Sequence, residues 1–383
     1  MIGRRRRTLR RAAVVFAAVA GAAVALATLV PAGRVAFRTL LFMPDLMPPV
    51  TIRPLTWVTR APVREDIRVV DPSSPTVPTA PGWPSDVYVP RGSGPFPAIV
   101  VSLGINQAAR DDPRVRKLGD GLSRLGFLVL IPANDELRAE RLTPDAVAML
   151  VAAFRQLAAR ADVDPDRIGL FGVCVGASLA LLAAEEPAIA DDVAWVAWFG
   201  GYYRLETLVA AVVSGHKPRG DVVCPPNVDC VPDGTPISWA VDPLSERVIR
   251  LHLLEQIDDA DGPLAIADLL GDDVTYDGAL RAIDRLPPVV RARLAALSPA
   301  THLDRLRAPL FTMNDIGDSL IPSTETDALN AAAQPLGHLA RARTFDVFSH
   351  VNLDPFQDPG HTVPELWRLY RHVHAIVAPA LLH

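Results

Sequence analysis

The chain has 383 residues, of which half are hydrophobic and 21% are charged, a composition typical of a globular protein with a sizeable core. The formal net charge is −5, but six arginines lie within the first eleven residues; without them, the chain has 32 basic against 43 acidic residues. A body this acidic does not attract a phosphate backbone, so nucleic acid binding is excluded.

Residues 1–33 are predicted to be a signal or a membrane anchor. A cluster of arginines opens the chain, and residues 12–33 contain no charged side chain. These 22 residues are enough for a helix that crosses a membrane. The basic residues before them predict an N-terminus inside and a body outside the cell membrane. The alternative is a signal peptide cleaved near Ala25-Leu26-Ala27, which would give a secreted protein.

The three cysteines suit an exported protein. Cys224 and Cys230 flank a short segment that a disulfide could close, and such bonds persist in oxidising compartments. Two unlinked surface thiols are the alternative for this pair. Cys174 is left over, and a single cysteine calls for a separate explanation.

Strands and helices alternate in residues 85–202, after a linker with leading strands at residues 34–84. The pattern predicts strands at 86–90 (at a sheet edge), 98–101, 127–131, 167–171 and 193–199. Helices are predicted at 114–125, from an N-cap at Thr143 to residue 161, and up to residue 186. This order predicts an α/β fold, with a mostly parallel sheet and helices on both faces.

The regular alternation breaks at residues 203–299 and resumes at residues 300–383. The irregular stretch is too long for a loop and is predicted to be an inserted cap. The second part of the core contains predicted strands at 309–313 and 343–348 and a helix at 364–377.

The sequence Gly172-Val173-Cys174-Val175-Gly176 lies between a predicted strand and a predicted helix. This is the context of a nucleophile elbow, a tight turn whose neighbours must be small. The turn places Cys174 at the positive end of the next helix, which favours a thiolate nucleophile. A buried structural cysteine is the alternative. An oxyanion hole is predicted from the backbone N–H groups of Val175 and Ile105.

A cysteine nucleophile benefits from a histidine base that a carboxylate orients. Asp318 follows the predicted strand at 309–313 and is the first candidate for the acid, with Asp315 as the second. His350 follows the last predicted strand and is the first candidate for the base, with His361 as the weaker one. The order nucleophile, acid, histidine is that of the α/β hydrolases.

With these three residues in place, the chain resembles the dienelactone hydrolase family of α/β hydrolases. Cys174, Asp318 and His350 match the family's cysteine, acid and base, and the aromatic-glycine sequence of residues 198–203 resembles a turn found there. The resemblance implies the α/β-hydrolase fold. Residues 102–110 lack the family's acidic residue near the cysteine, and the leader and cap are additions, so a dienelactone is not the expected substrate.

The predicted function is hydrolysis of an ester, lactone or thioester through a Cys174-His350-Asp318 triad and an acyl-enzyme intermediate. Neither a cofactor nor a metal is expected. The expected partners are a small or lipid-like acyl substrate and, through the N-terminal segment, the membrane. Two alternatives remain: an acyltransferase of the cell envelope with the same triad, and a catalytically silent binding protein with the same fold.

Overall fold

The structure, a computed structural model, describes residues 29–47, 50–70, 82–105, 110–218, 236–253, 269, 271, 274–349, 352–353 and 359–382. Three predictions lie outside these residues: most of the N-terminal segment, the Cys224–Cys230 pair and His350. Within the described ranges, no helix has both the length and the apolar composition that crossing a membrane requires.

An eight-stranded sheet forms the centre of the fold. Its strands are β1 Val63–Val69, β2 Trp83–Val89, β3 Phe96–Ser102, β4 Leu128–Pro132, β5 Val163–Val173, β6 Trp195–Phe199, β9 Leu310–Asp315 and β10 Leu339–Phe345. They lie in the order β1-β2-β4-β3-β5-β6-β9-β10. The β1–β2 and β2–β4 pairs are antiparallel and all other pairs are parallel. The predicted mostly parallel sheet is therefore confirmed.

The helices connect these strands and continue into the insertion and the termini. They are α1 Pro31–Phe42, α2 Leu55–Val58, α3 Pro113–Leu125, α4 Asp135–Arg138, α5 Asp145–Ala158, α6 Val175–Glu185, α7 Leu205–Ser214, α8 Pro243–Glu246, α9 Tyr276–Arg285, α10 Pro288–Ala296, α11 Ser323–Ala333 and α12 Pro359–Leu382. A π-helix covers Arg247–Leu253, and 3₁₀ turns cover Met43–Leu46, Pro299–Thr301 and Leu303–Arg305. Two small hairpin sheets pair β7 His216–Pro218 with β8 Pro236–Ser238 and β11 Phe348–Ser349 with β12 Asn352–Leu353.

Apolar side chains cover both faces of the sheet, as expected for buried parallel strands. Along β3, Val100 contributes to the cluster that contains α5 and α6, whereas Ile99 and Val101 contribute to the cluster that contains α1, α3 and α12. Successive side chains of a strand point to opposite faces, which explains this alternation. The continuous apolar runs in the sequence therefore correspond to strands with helices on both sides.

Four local predictions need correction. Residues 86–90 are not at the sheet edge, because β1 pairs along the whole of β2. Thr143 does not cap α5, whose N-cap is Pro144 without a side-chain hydrogen bond. The strand predicted at 343–348 ends at Phe345, since the Phe348 N–H donates to Asp315 Oδ2 at 2.8 Å instead of continuing the ladder. The predicted linker begins with most of α1, which packs against α12 and α3.

Between Phe199 and Leu310 the chain leaves the sheet, in the region of the predicted cap. The described parts of this segment are mostly helical, and α9 packs against α7. Both ends of the segment return to neighbouring strands, because β6 pairs with β9. The segment therefore extends the fold without interrupting the sheet.

Candidate active site

Cys174 occupies the turn between β5 and α6. Its backbone has φ +58° and ψ −139°, a region that residues other than glycine rarely adopt. The Cys174 N–H donates to the Phe199 carbonyl at 2.8 Å, which attaches the turn to the neighbouring strand. Strained backbone of this kind persists only where the surroundings fix it, and it is concentrated at functional sites.

The turn is possible because three glycines let backbones approach closely. A Cβ on Gly172 would lie 2.3 Å from the Ala177 Cα, and one on Gly176 would lie 2.3 Å from the Ser102 carbonyl oxygen. A Cβ on Gly104 would lie 3.2 Å from the Cys174 Sγ. The turn after β3 therefore runs directly alongside the cysteine, a contact that the sequence analysis did not identify.

The two predicted oxyanion donors lie on either side of this contact. Val175 is the first residue of α6, so its N–H is one of the amides that a helix leaves without an internal partner. Ile105 follows Gly104 and lines the same cavity as Cys174. The structure thus brings both candidate segments next to the thiol.

The two candidate acids have different surroundings. Asp315 is buried and accepts two backbone hydrogen bonds, from the Gly317 N–H to Oδ1 and from the Phe348 N–H to Oδ2, both at 2.8 Å. Burial raises the pKa of this carboxyl to about 6, although the two amides oppose the shift. Asp315 therefore ties the loop after β9 to the loop after β10.

Asp318 lies in the turn after β9 and is also buried. Its Oδ1 accepts from the N–H groups of Leu320 at 2.8 Å and Ile321 at 3.0 Å, which fixes the side chain. The Trp239 indole donates to its carbonyl oxygen at 2.9 Å. Lys217 lies near enough for the Asp318 charge to oppose the lowering of the Lys217 pKa, which burial causes.

The two histidine candidates differ in their position relative to the cavity that contains Cys174. His350 lies outside the described residues, but Phe348, two residues earlier, lines the cavity that contains Cys174. His361 is exposed on α12, and its Nε2 lies 3.1 Å from the Asp346 carbonyl oxygen. His361 does not line the cavity.

The cavity beside Cys174 has a volume of about 380 Å³. Its walls are mostly apolar, with side chains from the strands, from α3 and from the insertion; examples are Leu118, Phe199, Leu244, Met313 and Leu320. Its size falls in the range of small-molecule sites, and such sites are largely apolar with a few polar groups. The cavity can therefore accommodate an apolar group attached to a carbonyl at Cys174.

A charged wall closes part of this cavity and combines residues of the predicted linker with Lys117 of α3. Asp45 pairs with Arg53 at 2.5 Å, and burial raises the pKa of the Asp45 carboxyl. Lys117 donates to the carbonyl oxygens of Met47 and Val50, both at 2.7 Å, and burial lowers its pKa. Asp45 and Lys117 both line the cavity, and no local sequence signal indicates this.

The insertion is attached to the loop that carries Asp318. The Asp242 N–H donates to the Ser319 carbonyl at 2.8 Å, and the Ser245 hydroxyl donates to the Leu320 carbonyl at 2.6 Å. Since Leu244 lines the cavity between these two contacts, the insertion forms part of the site.

Solved structures with the same fold include two of Pyrococcus horikoshii acylaminoacyl peptidase. The orthorhombic form has a TM-score of 0.52 at 12% identity over 83% of this chain and 42% of that chain. The uncomplexed form has a TM-score of 0.51 at 12% identity, over 87% and 44%. The chain thus spans less than half the length of these proteins.

A family comparison agrees with this fold. The dienelactone hydrolase family matches residues 132–218, which include β5, Cys174 and α6. The chain has the α/β-hydrolase fold. Dienelactone hydrolase from Anabaena variabilis, at 14% identity over 82% of this chain and 97% of that chain, has a TM-score of 0.40. No curated protein matches the sequence.

Proposed function

We propose that this α/β hydrolase cleaves an ester, lactone or thioester, with Cys174 as nucleophile, His350 as base and Asp318 as the acid that orients it. The observation that carries the proposal is the positive φ of Cys174 at a strand-to-helix turn that opens on an apolar cavity. A structural cysteine gains nothing from this strained position, whereas a nucleophile needs it for access to a carbonyl.

The reaction has two halves. The Cys174 thiolate gives its electron pair to the carbonyl carbon, and the amides of Val175 and Ile105 stabilise the oxyanion. The bond to the leaving oxygen or sulfur then breaks, and His350 protonates that atom. In the second half His350 takes a proton from water, the hydroxide attacks the thioester, and Cys174 leaves as a thiolate. The product is a carboxylic acid.

Asp318 suits the role of orienting acid better than Asp315. Both Asp315 oxygens already accept backbone amides that join two loops. Asp318 accepts its two backbone hydrogen bonds on Oδ1, and these fix its side chain in the loop after β9. The carboxyl ends of β5, β9 and β10 lie at one edge of a parallel sheet, and Phe348, two residues before His350 in the chain, lines the cavity that contains Cys174.

The apolar walls favour a substrate with a hydrophobic acyl or alcohol group. The test is hydrolysis of p-nitrophenyl esters of increasing acyl length by the full chain. We expect Cys174→Ala and His350→Ala to lower kcat/KM by at least about a thousandfold, and Asp318→Asn by about a hundredfold or more. Asp315→Asn is the matched control for the acid and should retain more activity than Asp318→Asn.

Adding glycerol as a nucleophilic acceptor distinguishes hydrolysis from acyl transfer, because a transferase would release the acyl glycerol in place of the free acid. Labelling with iodoacetamide distinguishes an active enzyme from a catalytically silent protein. In the silent protein, Cys174 would react equally in the wild type and in the His350→Ala variant. Full activity of the Cys174→Ala chain would disprove the proposed nucleophile.

A further inference from the structure

A second cavity, of about 260 Å³, lies at the opposite edge of the sheet from Cys174. Pro97 and Arg167, toward the amino ends of β3 and β5, form its floor, and α1 and Leu381 of α12 form its sides. The catalytic cysteine follows the carboxyl end of β5. The two cavities are therefore separate sites.

Three arginines, Arg34, Arg38 and Arg167, line this cavity, and no acidic side chain is among its described lining residues. Arg34 and Arg38 are four residues apart on α1, a spacing that places like charges side by side at a cost in free energy. Neither side chain makes a hydrogen bond or ion pair with another described residue. Both side chains are exposed and can reach a ligand from solvent.

The charges of Arg34 and Arg38 are not compensated by a described acidic residue, whereas Arg167 pairs with Asp164. Partial burial and then the positive charge of Arg34 lower the pKa of the Arg38 guanidinium. Other described arginines, such as Arg53, do have acidic partners. Two adjacent guanidinium groups without such a partner cost free energy unless an anion binds to them.

Arg167 is held in place to complete the cluster. Its Nε donates to Asp164 Oδ2 at 2.7 Å and its Nη1 to the Ala380 carbonyl at 2.9 Å. Its Nη2 donates to no other described residue. A guanidinium fixed by two bonds loses little entropy when its remaining donors bind a ligand, and the planar geometry suits a phosphate oxygen pair.

We propose that Arg34, Arg38 and Arg167 form a binding site for a phosphate group. The neighbouring surface points to the headgroup of an anionic phospholipid as its source. Val30, the N-cap of α1, is exposed, as are Phe37 and Leu40 within α1. Residues 12–33, immediately before Arg34, contain no charge. Basic side chains beside exposed apolar ones on a helix are typical of a membrane interface.

Two arms of one experiment test the site and its source. In the first arm, inorganic phosphate and glycerol 1-phosphate are titrated into the full chain by calorimetry. In the second, the full chain is sedimented with vesicles of phosphatidylcholine alone or mixed with phosphatidylglycerol. The readout is the change in the preference for phosphatidylglycerol between wild type and variant, because the arginines within residues 4–11 contribute equally to both proteins.

We expect Arg34→Gln/Arg38→Gln to weaken phosphate binding at least about tenfold, since charge-assisted hydrogen bonds are lost. The same variant should show a weaker preference for phosphatidylglycerol than the wild type. Arg281→Gln is the control, because Arg281 is exposed on α9 and does not line the cavity. Weaker calorimetric binding with an unchanged vesicle preference in the double variant would support the site with free phosphate as its source.

Two results would overturn the proposal: no saturable binding in either arm, or binding that the double variant retains unchanged. Thermal unfolding of each variant without ligand shows whether the fold is intact. Since Arg34 and Arg38 are exposed and their side chains have no partners among the described residues, we expect neither variant to unfold at a lower temperature than the wild type.

Discussion

At the scale of single residues, the strongest constraint is the space around Cys174. A Cβ added to Gly172, Gly176 or Gly104 would lie too close to a neighbouring backbone or to Cys174. The Gly176 contact is with the backbone of Ser102 and Leu103, which belong to another strand and its turn. A larger residue could therefore not be accommodated by a side-chain rotation.

We expect Gly176→Ala to lower the free energy of unfolding by at least about 1–3 kcal/mol, because its Cβ would lie 2.3 Å from the Ser102 oxygen and 2.6 Å from the Leu103 carbonyl carbon. Urea unfolding measures this loss. Gly271→Ala is the control, since the nearest described atom to its Cβ would be Val274 Cγ2, at 3.6 Å. Equal stability of the two variants would contradict the close approach.

At the scale of elements, a buried carboxylate joins the insertion to the core. Glu325, on α11, accepts from the N–H groups of Tyr203 and Arg204, both at 3.0 Å, and from the Thr207 hydroxyl at 2.6 Å. These donors lie at the amino end of α7, where a helix leaves amides unpaired and favours a negative charge. Arg204, the N-cap residue of α7, makes no capping hydrogen bond with its side chain, and Glu325 from α11 accepts these hydrogen bonds instead.

Glu325→Ala should lower the free energy of unfolding by at least about 2 kcal/mol, because three donors, of which the Tyr203 N–H is buried, lose their acceptor. Glu325→Gln keeps one acceptor and should have a smaller effect. Chemical denaturation of both variants measures the difference. The control is Glu246→Ala, whose exposed carboxylate pairs only with Arg250, at 3.3 Å, and should change stability by less than about 0.5 kcal/mol. A loss no larger than that of Glu246→Ala would rule out the proposed cap.

At the scale of the whole molecule, α12 closes one face of the sheet and brings a buried histidine with it. His372 has no exposed surface, and neither ring nitrogen has a hydrogen-bond partner among the described residues. Its ring lies edge-on to Phe345, with centroids 6.3 Å apart. Burial, followed by the charges of Arg341 and Arg343, lowers the pKa of His372 to about 3.

This histidine should make the whole fold sensitive to acid. Unfolding allows His372 to bind a proton near its ordinary pKa, whereas the folded protein resists protonation down to the lower value. The free energy of unfolding is therefore unaffected by His372 above about pH 6.5. It decreases as the pH falls, by about 3 kcal/mol at about pH 4, because the unfolded chain binds a proton that folded His372 does not. We expect His372→Phe to lose less stability on acidification than the wild type, as measured by unfolding at several pH values.

The exposed His361 on the same helix provides the control, because His361→Phe should keep the wild-type dependence on pH. A parallel loss of stability in His372→Phe and the wild type between about pH 6.5 and about pH 4 would mean that His372 is protonated in the folded protein.

Local patterns in the sequence were enough for the architecture of the sheet. Continuous apolar runs such as residues 98–101 and 167–171 are typical of strands buried on both faces, and each is confirmed within β3 and β5. The strand–turn–helix context of Cys174 was also predictable, since small residues flank it in the sequence. Edges were less predictable. β10 contains two arginines and is largely half-buried or exposed, so the prediction placed the strand too far along the chain, on the apolar residues Val347 and Phe348.

The sequence by itself determined the class of fold and the position of the sharp turn, because periodicity and small residues act over a few neighbouring positions. The tertiary structure alone decided that Gly104 lies against Cys174, that Asp315 joins two loops, and that Asp45 and Lys117 form a wall of the cavity. Only the packing of α1 and α12 brought Arg34 and Arg38 to Arg167. Contacts between residues far apart in the chain depend on how whole elements pack, and no local pattern encodes that.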